Sequence, residues 1–170
     1  VHDCVNNGDV TIDIARGLAG LASGIFGRFG GDNEWATGEE NNRNIVISNC
    51  LNNGKVIGTS QAAGILAHAR GCVVKISNCT NKGSILSDYK SDGTGTSDAA
   101  GIFGSTDSSK SRYCMVYVDK CLNEGKVTSQ NARAAGIVGY VGEFSDVEVS
   151  GNSNLATVAA PAATEGGVNV

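Results

Sequence analysis

The chain contains one proline, one tryptophan and four each of phenylalanine and tyrosine among 170 residues. With so few aromatics, a core must be assembled from Val, Ile, Ala and Leu. Only two histidines are present, His2 at the terminus and His68 after an apolar block. No Ser-His-Asp, HExxH or P-loop pattern accompanies them, and a lone histidine of this kind is expected at the surface. No Lys/Arg stripe is visible and the net charge is −4, which argues against a phosphate-binding surface and a nucleic-acid partner. No apolar run approaches the ~20 residues of a membrane-spanning helix. No stretch has the 3.6-residue pattern, length and caps of a helix either. A leader pattern is missing as well, so the chain is expected to be a mature form or a piece of a longer one.

What is present is 41% hydrophobic residues, enough for one domain over residues 1–170 with a continuous core. Glycine supplies 24 residues, about twice its ordinary share. The Val and Ile runs between the glycines exclude a disordered linker.

The sequence repeats itself. "CLNNGKV" at 50–56 returns as "CLNEGKV" at 121–127, with looser copies "CVNNGDV" at 4–10 and "CTNKGSI" at 79–85. Before the cysteine stands an alternating block: "IVISNC" at 45–50, "VKISNC" at 74–79 and "VYVDKC" at 116–121. After it comes a third block, "SGIFG" at 23–27, "AGILA" at 63–67, "AGIFG" at 100–104 and "AGIVG" at 135–139. A fading fifth copy, "VEVSGNSNLATV", has Asn152 for the cysteine, keeps Asn154 and has Ala156 for the glycine.

The cysteines of the repeated run lie 46, 29 and 42 residues apart, so the unit is about thirty residues with insertions at 28–44, 86–98 and 105–115. Each block is short, β-branched and alternating, which predicts a strand. The intervening Asn and Gly supply turns. Such strands bury a face only by stacking on their equivalents. The expected fold is all-β: a right-handed parallel β-solenoid, or β-helix, of four to five rungs with three short strands each and loop insertions.

Stacking predicts columns of equivalent residues. Cys4, Cys50, Cys79 and Cys121 form one, and Asn6, Asn52, Asn81, Asn123 and Asn154 another, the latter able to pass amide hydrogen bonds along the axis. Gly8, Gly54, Gly83 and Gly125 mark a bend with no room for a Cβ. Alternation in the third block turns Ile25, Ile65, Ile102 and Ile137 inward. It turns Phe26, Leu66, Phe103 and Val138 outward as an apolar stripe in need of cover.

The Cys-x-Asn-x-Gly-x-Val run followed by Ala-Gly-Ile-x-Gly resembles the GLUG-type repeats of bacterial cell-surface and secreted proteins. The likeness spans residues 1 to 158 apart from the insertions, and the family's Gly-Gly before the apolar pair is Ala-Gly or Ser-Gly here. The resemblance implies an extracellular or cell-surface repeat region of an adhesin-like protein, with no catalytic residues to transfer.

The cysteines leave two main readings open, with metal binding a remainder that no CxxC spacing supports. Column neighbours in register lie about 4.8 Å apart, beyond the ~3.8 Å between Cβ atoms that a disulfide prefers, so buried thiols acting as small hydrophobes are expected. An even number of cysteines in an extracellular chain suggests disulfides instead. Cys72 and Cys114, each four residues before the last residue of its strand (Ile76 and Val118), are then the candidate bridge. The loop "DYKSDGTGTSD" at 88–98 sets Asp88, Asp92 and Asp98 about a glycine. Lys90 occupies a ligand place, so a polar insertion is expected rather than a calcium loop. Asn78-Cys79-Thr80 matches a glycosylation sequon and is read as a turn. No cofactor or metal is expected.

Solenoid enzymes acting on polysaccharides need clustered carboxylates, whereas Asp and Glu here sit singly or in loops. A polysaccharide-active enzyme is thus a distant alternative, and no enzyme is expected. Two functions of different class remain. One is a structural or adhesive surface module meeting a protein or glycan partner. The other is a filament subunit that self-associates end to end, since Val1-His2-Asp3-Cys4 aligns with Ile47-Ser48-Asn49-Cys50 and the chain is expected to open inside a strand.

Overall fold

In the computed structural model the described residues are 1–12, 20–30, 43–88, 97–107 and 113–161. The first rung contributes β1 (Val5–Asn6), β2 (Val10–Thr11), β3 (Leu21–Ser23) and β4 (Phe26–Gly30). The second carries β5 (Asn44–Ser48), β6 (Leu51–Asn52), β7 (Val56–Gly58), β8 (Gln61–Ala63) and β9 (Leu66–Arg70). The third repeats the path in β10 (Val73–Ser77), β11 (Thr80–Asn81), β12 (Ile85–Ser87), β13 (Asp98–Ala100) and β14 (Phe103–Thr106). The fourth does so in β15 (Met115–Asp119), β16 (Leu122–Asn123), β17 (Val127–Ser129), β18 (Ala134–Ala135) and β19 (Val138–Tyr140). The fifth adds β20 (Asp146–Ser150), β21 (Ser153–Asn154) and β22 (Val158–Ala159).

Equivalent strands pair in parallel and in register, as in Val74↔Val116 and Asn81↔Asn123. The strands form five stacked sheets. The chain is a parallel β-solenoid.

Each full rung has five strands rather than the expected three. The second block breaks at its Asn-x-Gly turn, so Leu51–Asn52 and Val56–Gly58 are separate strands. The third breaks at Gly64-Ile65, between Gln61–Ala63 and Leu66–Arg70. A sharp corner also precedes each column cysteine. Asp3, Asn49, Asn78 and Lys120 have φ of 54°, 54°, 52° and 51°, and Gly151 takes the place in the fifth rung at 62°. Asn and Asp tolerate this left-handed conformation better than other side-chain residues. Asn78 is therefore a corner residue.

The core has two compartments. The larger packs Ile47, Ile76 and Val118 of one sheet with Cys50, Cys79 and Cys121 and with Ile65, Leu66, Ile102 and Phe103. The smaller sets Val56, Ile85 and Val127 against Ala62, Ala99 and Ala134. Full burial of one such Ile or Val is worth about 1.5–3 kcal/mol.

Between the compartments the asparagine column faces the glycines of the third block. A Cβ on Gly64 would collide with the Asn81 side chain and the Gly101 carbonyl oxygen. A Cβ on Gly83 would collide with the Gly54 carbonyl of the rung before. Both glycines are required by close approach.

The outward apolar stripe expected of Phe26, Leu66, Phe103 and Val138 is not found. Leu66 and Phe103 are fully buried in the same cluster as Ile65 and Ile102, and Phe26 and Val138 pack against that cluster beside Ile25 and Ile137. Strict alternation fails because the isoleucine sits in the turn before the strand. The turn lets successive side chains enter one core.

Candidate interaction surfaces

The sheet β5–β10–β15–β20 buries alternate residues and presents the others outward. Register sets Val46, Lys75, Tyr117 and Glu148 in one outward column, with Val46 53% exposed. The Lys75 ammonium lies 5.7 Å from the centroid of the Tyr117 ring, within cation–π reach. Beside this column the Tyr113 hydroxyl donates to Asp146 at 2.6 Å. That bond to the carboxylate pushes the phenol up to about 12. Ser150 donates to Asp119 at 2.6 Å. The result is a face with an aromatic ring, carboxylates and hydroxyls fixed on neighbouring rungs about 4.8 Å apart. It can stack and hydrogen-bond an extended ligand.

A second group lies on the sheet β4–β9–β14–β19. Register aligns Arg28, His68, Ser105 and Tyr140. His68, expected at the surface, is only 9% exposed and is hydrogen-bonded through Nδ1 to Ser105 Oγ at 3.0 Å. Burial pushes its imidazole down to about 4, so the ring is neutral at neutral pH. Asp107 pairs with Arg70 at 2.6 Å. A His–Ser contact is the beginning of a nucleophilic unit, but Ser105 is wholly buried and offers its hydroxyl to no substrate. It is a packing contact.

Asp98 is also buried, and the Arg133 guanidinium donates to both its oxygens at 2.8 and 3.1 Å while stacking 3.6 Å from the Tyr140 ring centroid. Burial raises the Asp98 carboxyl against the opposing pull of Arg133. Asp98 is thus committed to an ion pair rather than to a cation loop with Asp88. Asp92 lies outside the described residues.

A third feature is a notch at the fifth rung. A cavity of about 1000 Å³ is bounded by Ala134–Val138 on one side and by Val149, Asn154 and Val158–Ala160 on the other. Val149 continues the inward column of Ile47, Ile76 and Val118. Those three are at most 1% exposed, whereas Val149 is 59% exposed. Among the described residues, β18 and β19 pair only with β13 and β14. The core is open here among the described residues.

The predicted columns are both assembled. The amide of each asparagine donates to the next: Asn6 to Asn52, Asn52 to Asn81 and Asn81 to Asn123 at 2.8 Å, and Asn123 to Asn154 at 2.7 Å. Cys4, Cys50, Cys79 and Cys121 stack beside them, each donating its thiol to the carbonyl two residues earlier at 3.2–3.4 Å. In the fifth rung Asn152 substitutes for the thiol, accepting from Cys121 N and donating to the Val118 carbonyl, both at 2.8 Å. None of the six cysteines is in a disulfide. The Cys72 and Cys114 thiols nevertheless meet, and that contact together with burial pushes Cys72 up.

Sequence spacing carried no signal for the His68–Ser105 and Asp98–Arg133 contacts. Their partners lie 37 and 35 residues apart, and only the rung register brings them together.

A scan against protein-family models gives no match to this chain, and a search of the curated proteins gives none either. Among solved structures the chain is similar to a Bacteroides ovatus protein named "putative immunoglobulin A1 protease", with a TM-score of 0.58 and 21% identity. The likeness is one of fold. It covers 80% of this chain and 39% of that one, so this chain spans about two-fifths of the neighbour's length.

Proposed function

We propose that this chain is a non-enzymatic repeat module of an extracellular or cell-surface protein, structural or adhesive, that presents its solenoid faces to a protein or glycan partner. The observation that carries the reading is the outward column Val46–Lys75–Tyr117–Glu148, an apolar, cationic, aromatic and anionic series on four adjacent strands. The resemblance to GLUG-type surface repeats supports the same setting. An enzymatic reading draws on the name of the Bacteroides ovatus protein, while the one His–Ser contact among the described residues is sealed from substrate.

Two measurements test this proposal together. Incubated with immunoglobulin A1, the chain should leave the immunoglobulin intact; cleavage that disappears in Ser105→Ala would overturn the reading. On arrays of glycans and surface proteins the chain should bind a defined subset, and Tyr117→Ala should weaken that binding about tenfold or more. Retention unchanged by Tyr117→Ala would move the contact to another face.

A second reading, end-to-end assembly into an extracellular filament, is favoured by the exposed core residue Val149 at the notch. The ladder also selects the test. Val10, Val56, Ile85 and Val127 each donate their N–H to the following rung, so Val158 directs its own beyond the last described rung. Val158→Pro removes an edge donor while sparing the internal ladder, whereas Val10→Pro would break the bond to the Lys55 carbonyl. A filament former should lose concentration-dependent sedimentation in Val158→Pro and keep its melting temperature. A monomer at every concentration would leave the surface module alone.

A further inference from the structure

The six thiols are not equivalent. In the column, Cys4, Cys50, Cys79 and Cys121 are each tied to the carbonyl two residues earlier in their own rung. That common bond gives the column sulfurs one repeated orientation, although Cys79 and Cys121 also meet across their rungs. Cys72 has no such tie. Its thiol reaches the Phe29 carbonyl at 3.9 Å and meets the Cys114 thiol.

Cys72 and Cys114 occupy the same place in consecutive rungs. Each immediately precedes a strand, Val73 pairs with Met115, and the Met115 N–H donates to the Cys72 carbonyl at 3.1 Å. In-register neighbours in a parallel ladder are about 4.8 Å apart, inside the 4.4–6.8 Å range of Cα separations that disulfides span. Neither cysteine lies within a strand, and Gly71 before Cys72 is in the left-handed region at φ 55°. Closing the bond requires the backbone at this turn to tilt until the Cβ atoms approach the ~3.8 Å that a disulfide prefers. Both side chains are fully buried in the larger core.

We propose that Cys72 and Cys114 are an oxidation site, forming an inter-rung disulfide that locks the third rung to the fourth when a small-molecule disulfide is available. One cysteine thiolate attacks the oxidant R–S–S–R, forming a mixed disulfide and expelling one thiolate RS⁻. The second cysteine thiolate attacks the mixed disulfide at the protein sulfur, forming the Cys72–Cys114 bond and expelling the second RS⁻. The protons lost from the two cysteines end on the expelled thiolates. One oxidant is consumed and two RSH are produced. Because both thiols are buried, the first attack requires local opening at the turns, so the reaction is slow in the folded protein.

The experiment uses the intact chain incubated with glutathione disulfide, then denatured, alkylated and cut with trypsin without reduction. Trypsin separates all six cysteines except where a bond joins them. The expected product is one linked pair, residues 71–75 joined to 113–120, with a mass two hydrogens below the sum of the free peptides. The four column cysteines should be recovered alkylated. The pair should be absent from Cys72→Ser, and non-reducing electrophoresis should show a monomer. A pair joining 76–82 to 121–126, a disulfide-linked dimer, or full alkylation of all six thiols after prolonged oxidation would each overturn the assignment.

Discussion

The side-chain amide of Asn81 donates one hydrogen bond to Asn123 Oδ1 at 2.8 Å and another to the Gly83 carbonyl at 2.9 Å, while its own oxygen accepts from Asn52 at 2.8 Å. The side chain is wholly buried, yet both its N–H groups and its oxygen are satisfied. The same unit recurs at Asn52 and Asn123, so each asparagine is required by the asparagine beside it. This relationship explains the near-identical seven-residue copies.

Asn81→Leu should therefore be severe. It strands the Asn52 amide, the Asn123 oxygen and the Gly83 carbonyl, at about 1–3 kcal/mol for each buried orphan. A loss of roughly 3 kcal/mol or more is expected in urea unfolding. Asn6→Leu, on the half-buried first rung, strands one buried group, the Asn52 oxygen, and should cost about 1–3 kcal/mol, less than Asn81→Leu. Equal effects at the two sites would mean the column does not carry this load.

The glycine facing the ladder gives a matched pair of substitutions. Gly64→Ala drives a methyl group into Asn81 and the Gly101 carbonyl, both of which lie in the packed waist. It should cost about 2 kcal/mol or more. Gly27→Ala meets nothing within 4 Å and should be neutral or stabilising by about 0.5 kcal/mol. Thermal melts of the two variants provide the comparison.

These columns were legible in the sequence because stacking makes equivalent residues identical, and identity survives the insertions. Other features were legible only in part. The five strands per rung were hidden because Asn53-Gly54 and Gly64-Ile65 turn within blocks that read as continuous. The outward stripe was misassigned for the same reason, since alternation does not pass through a turn. The burial of His68 depends on flanking strands whose neighbouring residues no periodic pattern predicts. The sheet face bearing Tyr117 emerges from register, and Lys75 and Tyr117 are neighbours only after the rungs stack.

The corner before each cysteine offers a stabilising change. Lys120 holds φ 51°, a conformation that costs a side-chain residue about 1–2 kcal/mol. The equivalent residue in the fifth rung is Gly151. Lys120→Gly should raise stability by about 1 kcal/mol, less the lost unfolded-state entropy advantage, and should shift the melting temperature upward. A fall would show that the lysine side chain contributes more than the strain.

Stability should depend on pH through His68. Its imidazole is neutral in the fold, where burial holds its pKa at about 4, below the ordinary 6.5. The unfolded chain thus binds the extra proton first as pH falls. Stability should be full above about pH 6.5 and decline down to about pH 4, by on the order of 3 kcal/mol. Below that both states are protonated and this contribution is flat. His68→Gln should remove this component from a plot of melting temperature against pH; an unchanged slope would place the titrating group elsewhere.

The most direct test of the ladder that organises the molecule is side-chain amide hydrogen exchange followed by NMR. Asn52, Asn81 and Asn123 are wholly buried, whereas Asn53 donates to Asn7 at the exposed surface at 2.9 Å. The ladder predicts that the amide protons of the three column residues exchange roughly a thousandfold more slowly than those of Asn53, and that the two left, Asn52 and Asn123, lose that protection when Asn81 is replaced by Leu. Exchange at the rate of Asn53, or protection of Asn52 and Asn123 that survives the loss of Asn81, would contradict it.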